Sequence, residues 1–131
     1  MSILNIKKIK NSQGDIFKIL SKKDKYYKNF GECYISEIKP KKIKAWRYHK
    51  KNQQNIVVIE GKCKIVLLMN KKFVSYNLSS KNLKMLIIPK KIWYGFYNFT
   101  KNKIKILNII DKTYNDEEVV RKEEKEIAYK W

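Results

Sequence analysis

The stretch Lys44-Ala45-Trp46-Arg47-Tyr48-His49-Lys50, followed by Gln53-Gln54, the apolar run 56–59, Glu60 and Gly61, decides the fold of this chain. It reads as a strand presenting polar groups toward a cavity, a short turn, and a buried strand closed by a glycine turn. The single His of the protein, His49, sits inside it. Further on, the apolar residues 86–88 lead into Pro89, two Lys, and the aromatic run Trp93-Tyr94-Gly95-Phe96-Tyr97 before Asn98. Two blocks of this rhythm, about one hairpin pair apart, point to a small β-barrel with a lined mouth.

Around these blocks the periodicity is that of short strands. Alternation is weak over 3–9, short and apolar over 16–20, and clear over Glu32–Ile38. After Pro40 strands are predicted at 43–48, 55–59, Lys62–Met69 and 72–78, with Asn70-Lys71 as the tight turn of a hairpin. Strands at 83–88, 94–99 and 103–110 complete an antiparallel set, evenly spaced as in a barrel or jelly roll. Only 116–125 reads as a helix, opened by acidic residues that suit the positive end of a helix dipole. No linker, repeat or low-complexity tract divides the chain, and 131 residues suffice for one core. The expectation is a single domain spanning 1–131.

The two blocks resemble the paired motifs of the cupin superfamily. Arg47 takes the place of the leading His of the first motif, His49 keeps the second, Gln54 stands where Glu would, and Gly61 closes the block. In the second motif Pro89 and Asn98 are kept, while Lys91 replaces Gly and Tyr94 replaces His. Of the superfamily's expected metal ligands only His49 is present. An Arg guanidinium keeps its proton and cannot donate an electron pair to a metal. The chain is therefore expected to hold no metal and no cofactor.

Within the superfamily the chain is similar to the nucleotide-sugar branch, the dTDP-4-dehydrorhamnose 3,5-epimerases and dTDP-sugar 3,4-ketoisomerases. Gly14-Asp15-Ile16-Phe17 and the segment 30–36 match its opening strands. Residues 44–50 match its His-bearing segment, 88–96 its Pro turn, and 126–131 the close of its short members. The resemblance implies an all-β, cupin-type jelly-roll barrel with a short C-terminal helix, a dTDP- or UDP-linked sugar as ligand, and a homodimer. The epimerase residues do not carry over: its base would fall at Arg47, its Arg at Lys44, its Lys at Gln54 and its Tyr near Leu107. The ketoisomerase pattern His-x-His-Lys fares better, because Arg47-Tyr48-His49-Lys50 retains one His and the Lys.

The chemistry follows from residue type. Protons beside a 4-keto group are acidified, and moving one needs a base with a pKa near neutrality, which His supplies with little tuning. His49 is the candidate base. Arg47, two residues away on the same strand face, offers positive charge to a developing enolate, and Tyr94 is expected to return the proton from the other side. Lys44, Trp46, Gln54 and Trp93 are the candidate substrate-binding residues, the two Trp as stacking planes for a sugar or base. The competing readings are a non-catalytic cupin that binds a nucleotide sugar or glycan, and a basic barrel that binds nucleic acid.

A formal charge of +19 by itself favours a polyanion partner. Yet the basic residues are nearly all Lys, scattered along every segment, in a composition rich in Ile, Asn and Tyr as well. No helix-turn-helix, zinc-finger or RNA-binding motif accompanies them. Neither nucleic acid nor membrane is accordingly expected as a partner. With no apolar run of transmembrane length and no signal-type N-terminal segment, a cytoplasmic location is expected. Cys33 and Cys63 both fall in predicted strands and are read as free, buried, small hydrophobes.

Overall fold

The structure, a computed structural model, describes residues 2–131. Two five-stranded antiparallel sheets pack face to face. The first runs in the order β1 (Ser2–Asn5), β9 (Lys84–Ile88), β6 (Gln54–Glu60), β11 (Ile104–Ile110) and β4 (Glu32–Ile38). The second runs β12 (Val119–Arg121), β5 (Ile43–His49), β10 (Trp93–Tyr97), β7 (Lys62–Met69) and β8 (Lys72–Ser79). A separate hairpin of β2 (Lys7–Ile9) and β3 (Ile16–Lys18) precedes β4. The all-β jelly-roll reading is met.

Strand alternation sends alternate side chains into the space between the sheets. From the first sheet Ile38, Ile56, Val58, Leu86, Ile88, Ile104 and Ile106 meet Ile65, Leu67, Leu78 and Phe96 from the second. The uninterrupted apolar run in β6 has a second purpose. Val57 points the other way and packs with Met85 and Ile87 beneath Leu4, Ile6, Leu20 and Tyr26 of the N-terminal segment. A strand covered on both faces has no polar face to alternate, which is why its sequence reads as a continuous block.

Turn chemistry holds the hairpins in register. Asn70 and Lys71 both have positive φ, +49° and +63°, as a two-residue turn between right-twisted strands requires. Gly95 occupies a tight crossing, where a Cβ would lie 2.7 Å from that of Ala45 and 2.8 Å from the Trp131 ring. Beside it, β10 pairs with β5 irregularly: Tyr94 faces Arg47 but Gly95 faces Ala45, leaving Trp46 as the bulged residue. Trp46 instead exchanges backbone hydrogen bonds with Lys122.

Two expectations are corrected. Residues 116–125 do not form a helix. Asp116–Glu118 and Glu124–Glu126 are single 3₁₀ turns, and between them β12 pairs with β5, because Val119 is buried at the sheet edge as a strand residue. Cys63 is buried, its thiol pushed up to about 12 by burial, but Cys33 is exposed on the outer face of edge strand β4. Among the described residues no helix is long and apolar enough to cross a membrane.

Candidate active site

At one end of the sandwich the sheets part around a cavity of about 310 Å³. Strand β5 contributes Lys44, Arg47 and His49, and β10 contributes Tyr94 and Phe96. The facing sheet supplies Glu32, Tyr34 and Ser36 from β4, Gln54 from β6, and Ile106 and Asn108 from β11. Tyr114, Val119 and Arg121 complete the mouth. The bulge at Trp46 explains how Lys44 and Arg47, three residues apart, reach the same face of a period-two strand.

His49 is almost completely enclosed, 3% exposed, and both ring nitrogens are occupied. Nδ1 lies 2.8 Å from Glu118 Oε2, and Nε2 lies 2.9 Å from the Tyr94 hydroxyl. A carboxylate only accepts, so Nδ1 carries a proton. The Tyr94 hydroxyl is also 3.1 Å from Gln54 Oε1, which accepts from Asn108 Nδ2 at 2.8 Å. The same amide donates to the Tyr34 hydroxyl at 3.0 Å. A phenol has one proton. When it is given to Nε2 the imidazole is neutral, and when it turns to Gln54 an imidazolium Nε2–H donates to the tyrosine oxygen. Both ring nitrogens of His49 thus keep a hydrogen-bond partner with the imidazole in either form.

The electrostatics support this pair. Burial raises the Tyr94 pKa well above the ordinary phenol value. Burial acts to raise that of Glu118 as well, but the Lys51 N–H, the His49 ring and the Asn52 N–H outweigh it and leave the carboxyl lowered. Glu118 therefore stays an anion beside His49. Burial, reinforced by the nearby Arg47 charge, lowers the Lys44 pKa. Lys44 itself donates to the Glu37 carbonyl at 2.7 Å. Among the described residues no three His, Cys, Asp or Glu side chains converge as a metal site.

The structure thus brings His49, Arg47, Tyr94, Lys44 and Gln54 together, and it does not bring Trp46 or Trp93. Trp46 turns to the outer face of the second sheet, where it packs on Trp131 at 5.0 Å and donates its indole N–H to the Glu124 carbonyl. Trp93 precedes the inward Tyr94 and must point outward. It packs on Tyr48 at 5.1 Å beneath the Lys122 ammonium. Tyr94 also differs from expectation in its side: it shares a wall with His49 instead of facing it. Leu107 packs with the outer cluster, away from the cavity, so no phenol comes from that position.

Four contributors escaped the sequence reading. Glu118 lay hidden in the acidic run 116–118, which resembled a helix start. Tyr34, Asn108 and Arg121 follow from alternation in β4, β11 and β12, once the strand neighbours are known. The alternation Glu32, Tyr34, Ser36 was the available signal, since it places three polar side chains on one strand face.

Comparison with known proteins bears on the family and the fold. The family model FdtA: WxcM-like, C-terminal, matches residues 1–131. A TDP-4-oxo-6-deoxy-α-D-glucose-3,4-oxoisomerase of Aneurinibacillus thermoaerophilus is 24% identical over 88% of this chain and 81% of its own. The crystal structure of a dTDP sugar isomerase from Desulfovibrio desulfuricans superposes with a TM-score of 0.84 at 25% identity, covering 93% of this chain and 83% of that one. A dTDP-4-dehydrorhamnose 3,5-epimerase from Bacillus anthracis, with TDP and pyrophosphate bound, gives 0.81 at 19% identity over 91% of this chain and 76% of that one.

Proposed function

The chain belongs to the FdtA, WxcM-like C-terminal family, and from that membership and the shared wall of His49 and Tyr94 we propose that it isomerises a nucleotide-linked 4-keto-6-deoxy sugar. The reaction class is 3,4-ketoisomerisation. One proton leaves C3 and one arrives at C4, while the C3 hydroxyl proton passes to the C4 oxygen through an enediol, so composition is unchanged. A base and its acid partner on one wall can take a proton from one carbon and return it to its neighbour on the same ring face. Epimerisation instead needs groups on opposite faces.

In this reading Tyr94 and His49 work as a unit. As the C3–H bond breaks, its electron pair forms the enediolate double bond. The Tyr94 oxygen takes the proton while passing its own to His49 Nε2, and the resulting imidazolium is held by Glu118. Lys44, Arg47 and Gln54 border the substrate, the two cations bringing positive charge into the cavity. The product is a precursor for surface polysaccharide, made in the cytoplasm. The active unit is a homodimer. Edge strand β4 exposes Ile35, the hairpin exposes Ile9, Ile16 and Phe17, and Phe30 is also bare, apolar area at an open sheet edge that a second copy would cover.

The test is NMR of dTDP-4-keto-6-deoxyglucose incubated with the protein in deuterated water. The expected result is a 3-keto product, abolished by His49→Asn. Deuterium entering C3 or C5 with the 4-keto group retained would replace isomerisation by epimerisation, with Tyr34 on the facing wall as the second acid. Line broadening of the ligand with neither change would leave a binding module.

A further inference from the structure

Arg47 and Arg121 sit directly opposite one another in the β5–β12 pair, and both line the cavity. Like charges facing across antiparallel strands repel. Lys44 brings a third positive group to the same space. Glu32 is the one carboxylate among the lining residues, and its Oε1 already accepts the Tyr114 N–H at 3.1 Å. The Arg47 side chain has no hydrogen-bond or ion-pair partner among the described residues. Arg121 is steered at the mouth of the cavity, its guanidinium held by the Tyr114 hydroxyl and by Asp116 Oδ1 at 3.4 Å. A fold that converges cations in this way, with so little opposing charge, is built around an anion.

Distance from the base indicates which anion. Arg47 lies two positions before His49, roughly 6 to 7 Å along β5. A sugar ring held with C3 at the base places its anomeric carbon two ring bonds away, and the phosphorus bonded through oxygen to that carbon falls within this span. We infer that Arg47 and Arg121 form a two-guanidinium clamp for the phosphate attached to the anomeric carbon, which makes Arg121 a substrate-binding residue. The inference rests on the nucleotide-sugar reading above. The nucleoside then lies outward, toward Tyr114.

Calorimetric titration with TDP, and chemical-shift titration with phosphate-free thymidine, at low salt test the clamp on wild type, Arg121→Gln and Asp116→Asn. Arg121→Gln should weaken TDP by about tenfold, the worth of a charge-assisted hydrogen bond, and leave thymidine unchanged. Asp116→Asn releases Arg121 from its competing carboxylate and should tighten TDP, an effect that mere disruption of the mouth would not produce. Unchanged TDP affinity in Arg121→Gln, equal loss of thymidine, or no TDP binding to wild type would overturn the clamp. TDP binding through Arg121 with no keto sugar converted would leave the clamp standing and remove the isomerase reading. Turnover with unaltered KM in Arg121→Gln would do the reverse.

Discussion

Glu118 reaches His49 across 69 residues of sequence, its Oε2 2.8 Å from Nδ1, while its Oε1 accepts the N–H groups of Lys51 and Asn52 at 2.8 and 3.0 Å. The carboxylate thus fixes both the imidazole and the turn that follows it. Glu118→Gln keeps the size but can present an N–H to Nδ1 and reverse the tautomer. Turnover should fall about ten- to hundredfold with little change in KM. Recovery in Glu118→Asp would mark the charge as the operative property, and a loss confined to melting temperature would reduce Glu118 to a structural brace.

Tyr94→Phe retains the ring among Phe96 and its neighbours but removes the hydroxyl shared by His49 and Gln54. If the two residues move one proton together, removing either should cost about 10²- to 10⁴-fold in kcat. The double variant should then cost little more than either alone. Steady-state rates of the three variants read this directly, and full additivity would separate the two residues.

Acid should loosen the fold partly through Glu118. Its folded-state pKa lies below the ordinary value of 4.5, so its stabilising contribution is complete above that value and is lost as pH falls through the folded pKa. Urea midpoints measured between about pH 6 and about pH 3 should drop more steeply for wild type than for Glu118→Gln. Parallel curves would mean that other groups carry the acid sensitivity.

Gly95→Val forces a side chain against Ala45 and Trp131, at a crossing where a Cβ alone already comes within 2.8 Å of both. Overpacking of this kind costs about 1–3 kcal/mol. The variant should melt lower, with a changed tryptophan emission from the disturbed Trp131. An unchanged melt would show that the C-terminal segment gives way freely.

Much of the sheet architecture was legible because strand periodicity and turn residues are local. Glu32–Ile38 and Lys62–Met69 were bounded as the structure has them, and Asn70-Lys71 announced its turn. The site was legible only in part. His49, Arg47 and Tyr94 lie in the stretches that carry the family resemblance, whereas Glu118, Tyr34 and Arg121 join them through pairings between distant strands that no local pattern encodes. The two Trp were misplaced for a simpler reason. Trp93 and Tyr94 are consecutive on a strand and cannot both face one cavity, and Trp46 is the residue displaced by the bulge.

That bulge has a consequence for how readily this wall could change its chemistry. A strand offers only two sides, so a single surplus residue decides which set of side chains belongs to the interior. Were the same residues to run as a regular strand, Lys44 would turn out of the cavity while His49 stayed seated, whereas deleting the surplus residue would leave Lys44 and Arg47 two positions apart and both inward. The count of residues in this segment, and not only their identity, thus decides which cations the cavity holds.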